Sequence, residues 1–85
     1  MSRLEKAKER LKSIPKDYTY SEAKSLLLQL GFVESNKGKT SGSRVMFFRP
    51  SDNEKILLHK PHPKDIMIYK SVFGLARFLS RIGDL

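Results

Sequence analysis

The side chains of this chain best suited to chemistry gather between Lys37 and Lys64. His59 and His62, its two histidines, bracket Lys60 and Pro61. Imidazole ordinarily has a pKa of ~6.5, so it can take or give a proton near neutral pH. Around these two stand the cations Lys37, Lys39, Arg44, Lys60 and Lys64 and the hydroxyls of Ser41 and Ser43. A metal fits this set poorly, since His59, His62 and Asp65 show none of the strong ligand spacings. Neither a metal nor any other cofactor is expected. The chain has no nucleophile elbow, no phosphate-cradling G-x-x-x-x-G-K and no G-x-G-x-x-G. What these residues suit is phosphate chemistry. Cleaving RNA without a metal needs a base for the 2′-hydroxyl proton, cationic donors around the phosphorane and an acid for the leaving oxygen.

A hairpin must bring these residues together. Arg44-Val45-Met46-Phe47-Phe48-Arg49 is β-branched and aromatic, residues 50–54 are turn chemistry, and Lys55-Ile56-Leu57-Leu58-His59 is a second apolar run of strand length. If Arg49 pairs with Lys55, antiparallel register sets Arg44 opposite Lys60 and His59 beside Val45. A shift of one residue in the turn sets His59 directly opposite Arg44 on the same face. Either register makes them neighbours. Bland roles are also open: His59 as a packed strand end, His62 as a turn residue, the cations as a solvated rim.

The rest of the chain supplies the scaffold. Ser2-Arg3-Leu4-Glu5 has the form of a capping box, and Leu4, Ala7, Leu11 and Ile14 follow at helical spacing to a stop at Pro15. Glu5, Lys6, Lys8, Glu9, Arg10 and Lys12 read as the solvated face of this helix. Thr19 and Glu22 form a second box, followed by Ala23, Leu26, Leu27 and Leu30, with Gly31 as a left-handed C-cap. A short strand over 32–35 and a polar loop over 36–43 lead into the hairpin. Pro61-His62-Pro63 breaks the last strand. From about Ile68, the residues Val72, Leu75, Phe78, Leu79 and Ile82 predict a helix ending at Gly83, with Gly74 marking a close helix-to-sheet approach. The order is α-α-β-β-β-α, a two-layer α+β domain with helices on one sheet face and the other left to solvent or a ligand.

The chain has 85 residues and no cysteine. One modest core is therefore all it can build, with no disulfide or thiolate site to reinforce it. It has no apolar run of membrane length and no signal-type start, so the chain reads as cytoplasmic with no membrane association. A formal charge of +8 favours a polyanionic partner, because cations gain affinity by displacing the counterions condensed on phosphates.

Leu30-Gly31-Phe32, Gly42-Ser43-Arg44-Val45-Met46-Phe47-Phe48, Pro61-His62-Pro63 and Leu79-Ser80-Arg81-Ile82-Gly83, in that order, resemble the HicA (YcfA-like) toxin family over residues 20–85. The resemblance implies a double-stranded-RNA-binding-domain-like α-β-β-β-α fold over residues 16–85, preceded by an added amphipathic helix over 1–15. It also implies a metal-independent endoribonuclease that cleaves mRNA and is neutralised by a HicB-like antitoxin protein. The family's usual Gly-Ser-His carries its catalytic histidine, and here the triplet is Gly42-Ser43-Arg44. Arginine stays protonated and cannot act as that base, although it binds phosphate. Three outcomes are open: His59 takes the proton-transfer role with Arg44 beside it, the surface binds RNA without cutting it, or the chain is a partner-binding module. RNA contact is expected from Lys37, Lys39, Ser43, Arg44, Lys60, His62 and Lys64.

Overall fold

The computed structural model describes residues 2–35, 44–61 and 63–85. Its first helix, α1 (Arg3–Lys12), begins where the Ser2 hydroxyl accepts the Glu5 N–H at 3.1 Å. The reciprocal half of the expected capping box differs, because the Glu5 carboxylate meets the Ser2 hydroxyl rather than its N–H. The helix stops at Lys12, two residues short of the expected Ile14. Proline disfavours right-handed helix in the residue preceding it, and Ile14 takes φ of +47°.

The face of α1 read as solvated is not wholly so. Arg10 pairs with Glu22 and Asp17 and lies over the Tyr18 ring. It thereby ties α1 to the start of the second helix, α2 (Tyr20–Gln29). Here the capping box is complete, with Thr19 and Glu22 bonding reciprocally. Gly31, at φ +95°, closes the other end: Phe32 N–H reaches Leu27 O at 2.9 Å and Gly31 N–H reaches Leu28 O at 3.1 Å. These are the paired bonds of a left-handed glycine cap. Arg49 Cδ would stand 3.4 Å from a Cβ at this position.

Strands β1 (Val33–Ser35), β2 (Arg44–Arg49) and β3 (Glu54–His59) form an antiparallel sheet in sequence order. The hairpin closes on Arg49 opposite Glu54, and Asn53 at φ +59° completes the turn between them. This is the shifted register, so Arg44 faces His59 and Val45 faces Leu58. Alternation along the strands then sends Val45, Phe47, Ile56 and Leu58 toward the helices. Phe47 and Leu58 are buried there with Leu26, Leu27, Val72, Leu75 and Leu79.

The last helix, α3 (Tyr69–Arg81), ends at Gly83, φ +87°. It starts within a residue of the expected Ile68, which is its extended N-cap and 67% exposed, while Met67, one residue earlier, is buried. One expectation for it is corrected. Gly74 is exposed and nothing lies within 4 Å of where its Cβ would be, so it marks no close approach to the sheet. Gly74→Ala should therefore raise stability by up to about 1 kcal/mol, the usual helix-interior difference, read as a higher urea midpoint with unchanged slope.

The first helix joins the same core through fully buried Leu11. The result is a small α+β domain of three helices and a three-stranded antiparallel sheet, compatible with an α-β-β-β-α layout behind α1. Among the described residues, no helix is long and apolar enough to cross a membrane.

Titration should register these anchors. Glu22 accepts from Arg10 and Thr19, which hold its carboxyl below the usual carboxylate value. A depressed folded pKa stabilises above the unfolded value of ~4.3 and is lost as pH falls through the folded one. Burial pushes Tyr18 and Tyr20 up to about 12. A raised folded pKa stabilises fully below the unfolded ~10 and is lost as pH rises through the folded value. The melting temperature should accordingly fall below about pH 4 and again between about pH 10 and 12.

Candidate nucleic-acid site

The last rung of the hairpin sets Arg44 directly opposite His59, and both residues are exposed. Side chains of such partners leave the sheet from Cβ atoms about 4.5–5.5 Å apart. His59 is thus not a packed strand end. One phosphate can be met by the guanidinium and approached by the imidazole at the same time. Lys60 follows at once and is exposed, and Lys64 is exposed in the segment beyond. Lys37, Lys39, Ser41, Ser43 and His62 lie outside the described residues.

The segment after β3 is anchored to the start of α2. Thr19 and Ile66 form an isolated antiparallel bridge, Tyr20 N–H donates to Asp65 O at 2.7 Å, and Met67 N–H donates to Tyr18 O at 2.9 Å. The Asp65 carboxylate accepts the Ser21 hydroxyl at 2.6 Å and the Ser21 N–H at 3.0 Å. These bonds hold its pKa below the ordinary value, and the nearby charge of Lys60 adds to them. A carboxylate therefore adjoins the cationic cluster, already engaged by Ser21. Among the described residues, no group of His, Cys, Asp and Glu could hold a metal ion.

Strand alternation puts Arg44 and His59 on the sheet face turned away from the helices. The register adds Val33 beside Phe48 and Lys55, and Ser35 beside Met46 and Leu57. Half of these eight side chains are apolar and none is a carboxylate. Val33 and Leu57 are 47% and 48% exposed, and the Lys55 ammonium lies 6.0 Å from the Phe48 ring centroid. Val33, Glu34, Ser35, Met46, Phe48, Pro50 and Lys55 line a shallow groove of about 560 Å³, and the Glu34 carboxylate there pairs with Lys24 at 3.1 Å.

The expected site residues omitted this apolar set. Its signal was present in the sequence, since Val45-Met46-Phe47-Phe48 and Ile56-Leu57-Leu58 are unbroken apolar runs. A strand with one wet face alternates instead.

A second cationic surface runs along α3, whose sequence contains no Asp or Glu. Lys70, Arg77 and Arg81 are exposed there. Arg77 lies over Phe73 at 5.9 Å and Arg81 over Phe78 at 5.7 Å, and Gly74 opens a groove of about 410 Å³ between them. Arg10, Lys12, Lys24 and Arg49, by contrast with the α3 cations, pair with carboxylates.

Comparison with protein-family models, with curated proteins and with solved structures finds no match. The reading of this site therefore rests on its own residues and on the motif resemblance.

Proposed function

We propose that the chain is a HicA-like toxin of a type II toxin–antitoxin pair, a metal-independent endoribonuclease that cleaves mRNA in the cytoplasm and is held in check by a HicB-like antitoxin protein. The observation that carries this reading is the pairing of Arg44 with His59 across the exposed end of the hairpin. The motif that resembles the family has lost its histidine at position 44, and the register supplies another from the facing strand.

In this reading His59 takes the proton of a ribose 2′-hydroxyl. The 2′-oxygen attacks the adjacent phosphorus, forms a 2′,3′-cyclic phosphate and expels the 5′-oxygen of the next nucleotide. The proton now on the imidazole returns to that leaving oxygen, so no proton is gained or lost overall. Arg44, always cationic, meets the negative charge that builds on the phosphorane. Lys60 and Lys64, with Lys37, Lys39, Ser43 and His62, would hold the flanking backbone.

One observation favours a second reading, a non-catalytic RNA-binding domain of the same fold. Arg44 occupies the position of the family's histidine, and a guanidinium there binds phosphate without moving a proton. A single assay separates the two. RNA incubated with the purified chain in EDTA should be cut to fragments ending in 2′,3′-cyclic phosphate, and His59→Ala should abolish the cutting. RNA that is bound but left intact would select the second reading.

A further inference from the structure

We infer, building on the RNA reading above, that the open sheet face is a platform for unpaired RNA, on which bases stack against Phe48 and its apolar neighbours while phosphates meet Arg44 and Lys55. The candidate proton-transfer residue lies on this same face. An RNA whose 2′-hydroxyl reaches His59 and whose chain continues along the hairpin must therefore cross Met46, Leu57, Phe48 and Lys55.

The composition of that path selects the substrate. A duplex offers its ribose and phosphate exterior, with bases stacked on one another inside. Laid on this face, it would dehydrate Val33, Met46, Phe48 and Leu57 without giving them a partner. Unpaired bases have free faces, and stacking on aromatic and apolar side chains is how single strands are held without regard to sequence. Lys55, directly opposite Phe48 with its ammonium 6.0 Å from the ring centroid, is placed to meet the phosphate of the nucleotide stacked there. An apolar partner protein would suit the hydrophobic half of the face. The groove's one carboxylate, Glu34, is already paired with Lys24, and Arg44 and Lys55 stand at separate positions along the face, which matches a polyanion better.

The test uses the full chain and 2′-O-methyl oligonucleotides, which lack the nucleophile and so report binding alone. A fluorescently labelled unpaired 12-mer and a hairpin duplex of the same composition are compared by anisotropy at one salt concentration. The unpaired strand should bind more tightly. Phe48→Ala should weaken it about 5- to 100-fold, the range for losing one base–aromatic stack. Phe73→Ala, which removes an exposed aromatic from α3, should leave it unchanged. Phe48 is half-buried, so Leu57→Ser, at a side chain already 48% exposed, serves as a second variant and should also weaken binding.

Preference for the duplex would overturn the platform. So would wild-type single-strand affinity in both Phe48→Ala and Leu57→Ser while RNA is still cut through His59, and in that case the nuclease reading survives. Self-association that Leu57→Ser abolishes without touching RNA affinity would instead make the face a protein interface. If neither oligonucleotide binds and no RNA is cut, the functional reading itself falls.

Discussion

His59→Ala is expected to lower the rate of RNA cleavage by about 10²- to 10⁴-fold, the usual contribution of a positioned general base or acid. No other described side chain on the open face can take a proton near neutral pH: its remaining members are Val33, Ser35, Arg44, Met46, Phe48, Lys55 and Leu57. Arg44→Ala should cost about 10²- to 10³-fold, as expected for losing one donor to the transition-state charge, and should weaken RNA binding as well. His59→Ala should leave binding nearly intact, because it keeps Arg44 and the lysines that hold the polyanion. Arg44→His restores the residue found in the family's Gly-Ser-His and places two imidazoles on one rung. Its cleavage should survive the further change His59→Ala, whereas the Arg44 chain's should not. Time courses on a defined RNA, with binding measured in parallel, separate these effects. Full activity in His59→Ala would remove His59 from the mechanism.

That His59 and Arg44 are neighbours could be read from strand alternation, but their direct pairing could not. The decision fell on one residue of the turn. Pairing Arg49 with Lys55 or with Glu54 are both ordinary hairpins, and the choice depends on the backbone of Asn53, which takes positive φ. Asparagine tolerates that conformation without requiring it. Local signals carried further where chemistry was reciprocal, as in the Thr19–Glu22 box, or forced, as at Gly31. They failed where distant contacts decide. Arg10 looked like one charge in a solvated pattern until Glu22 and Asp17 came within reach. Tyr18, in a short connection after a proline, is 1% exposed, and the bridge from Thr19 to Ile66 joins residues far apart in sequence. Gly74 invited a packing explanation and received none. A glycine in a helix has several causes, and sequence alone does not choose among them.

The second large effect concerns stability, and its site is Arg49. Its side chain is only 12% exposed, yet it lies at the end of β2 where a solvated arginine would pass unnoticed. Nε donates to Asp52 Oδ1 at 3.0 Å and Nη2 to Asp52 Oδ2 at 2.7 Å, a bidentate grip on the hairpin turn. Nη1 donates to Asp84 Oδ2 at 2.6 Å, beyond α3, and to the Leu30 carbonyl at 3.1 Å, at the end of α2. The guanidinium carbon stands 4.7 Å from the centroid of the buried Phe32 ring. One planar cation thus joins the turn, two helix ends and the core.

Arg49→Ala leaves the Leu30 carbonyl and the Asp84 carboxylate without these donors and uncovers Phe32, so it should cost about 2–4 kcal/mol. For a domain of this size that is about 10–20 °C in melting temperature. Arg49→Lys should recover little of it, because a single ammonium cannot serve the bidentate carboxylate and the carbonyl from one plane. Five residues of strand, about 17 Å, separate Arg49 from Arg44 and His59. At a temperature where both proteins are folded, Arg49→Ala should therefore cleave and bind RNA like the wild type. Urea denaturation checks the first half and the cleavage assay the second. An unchanged urea midpoint would show that the links seen at Arg49 contribute no net stability. Lost cleavage in a fully folded variant would show that the two ends of the hairpin are coupled through the sheet.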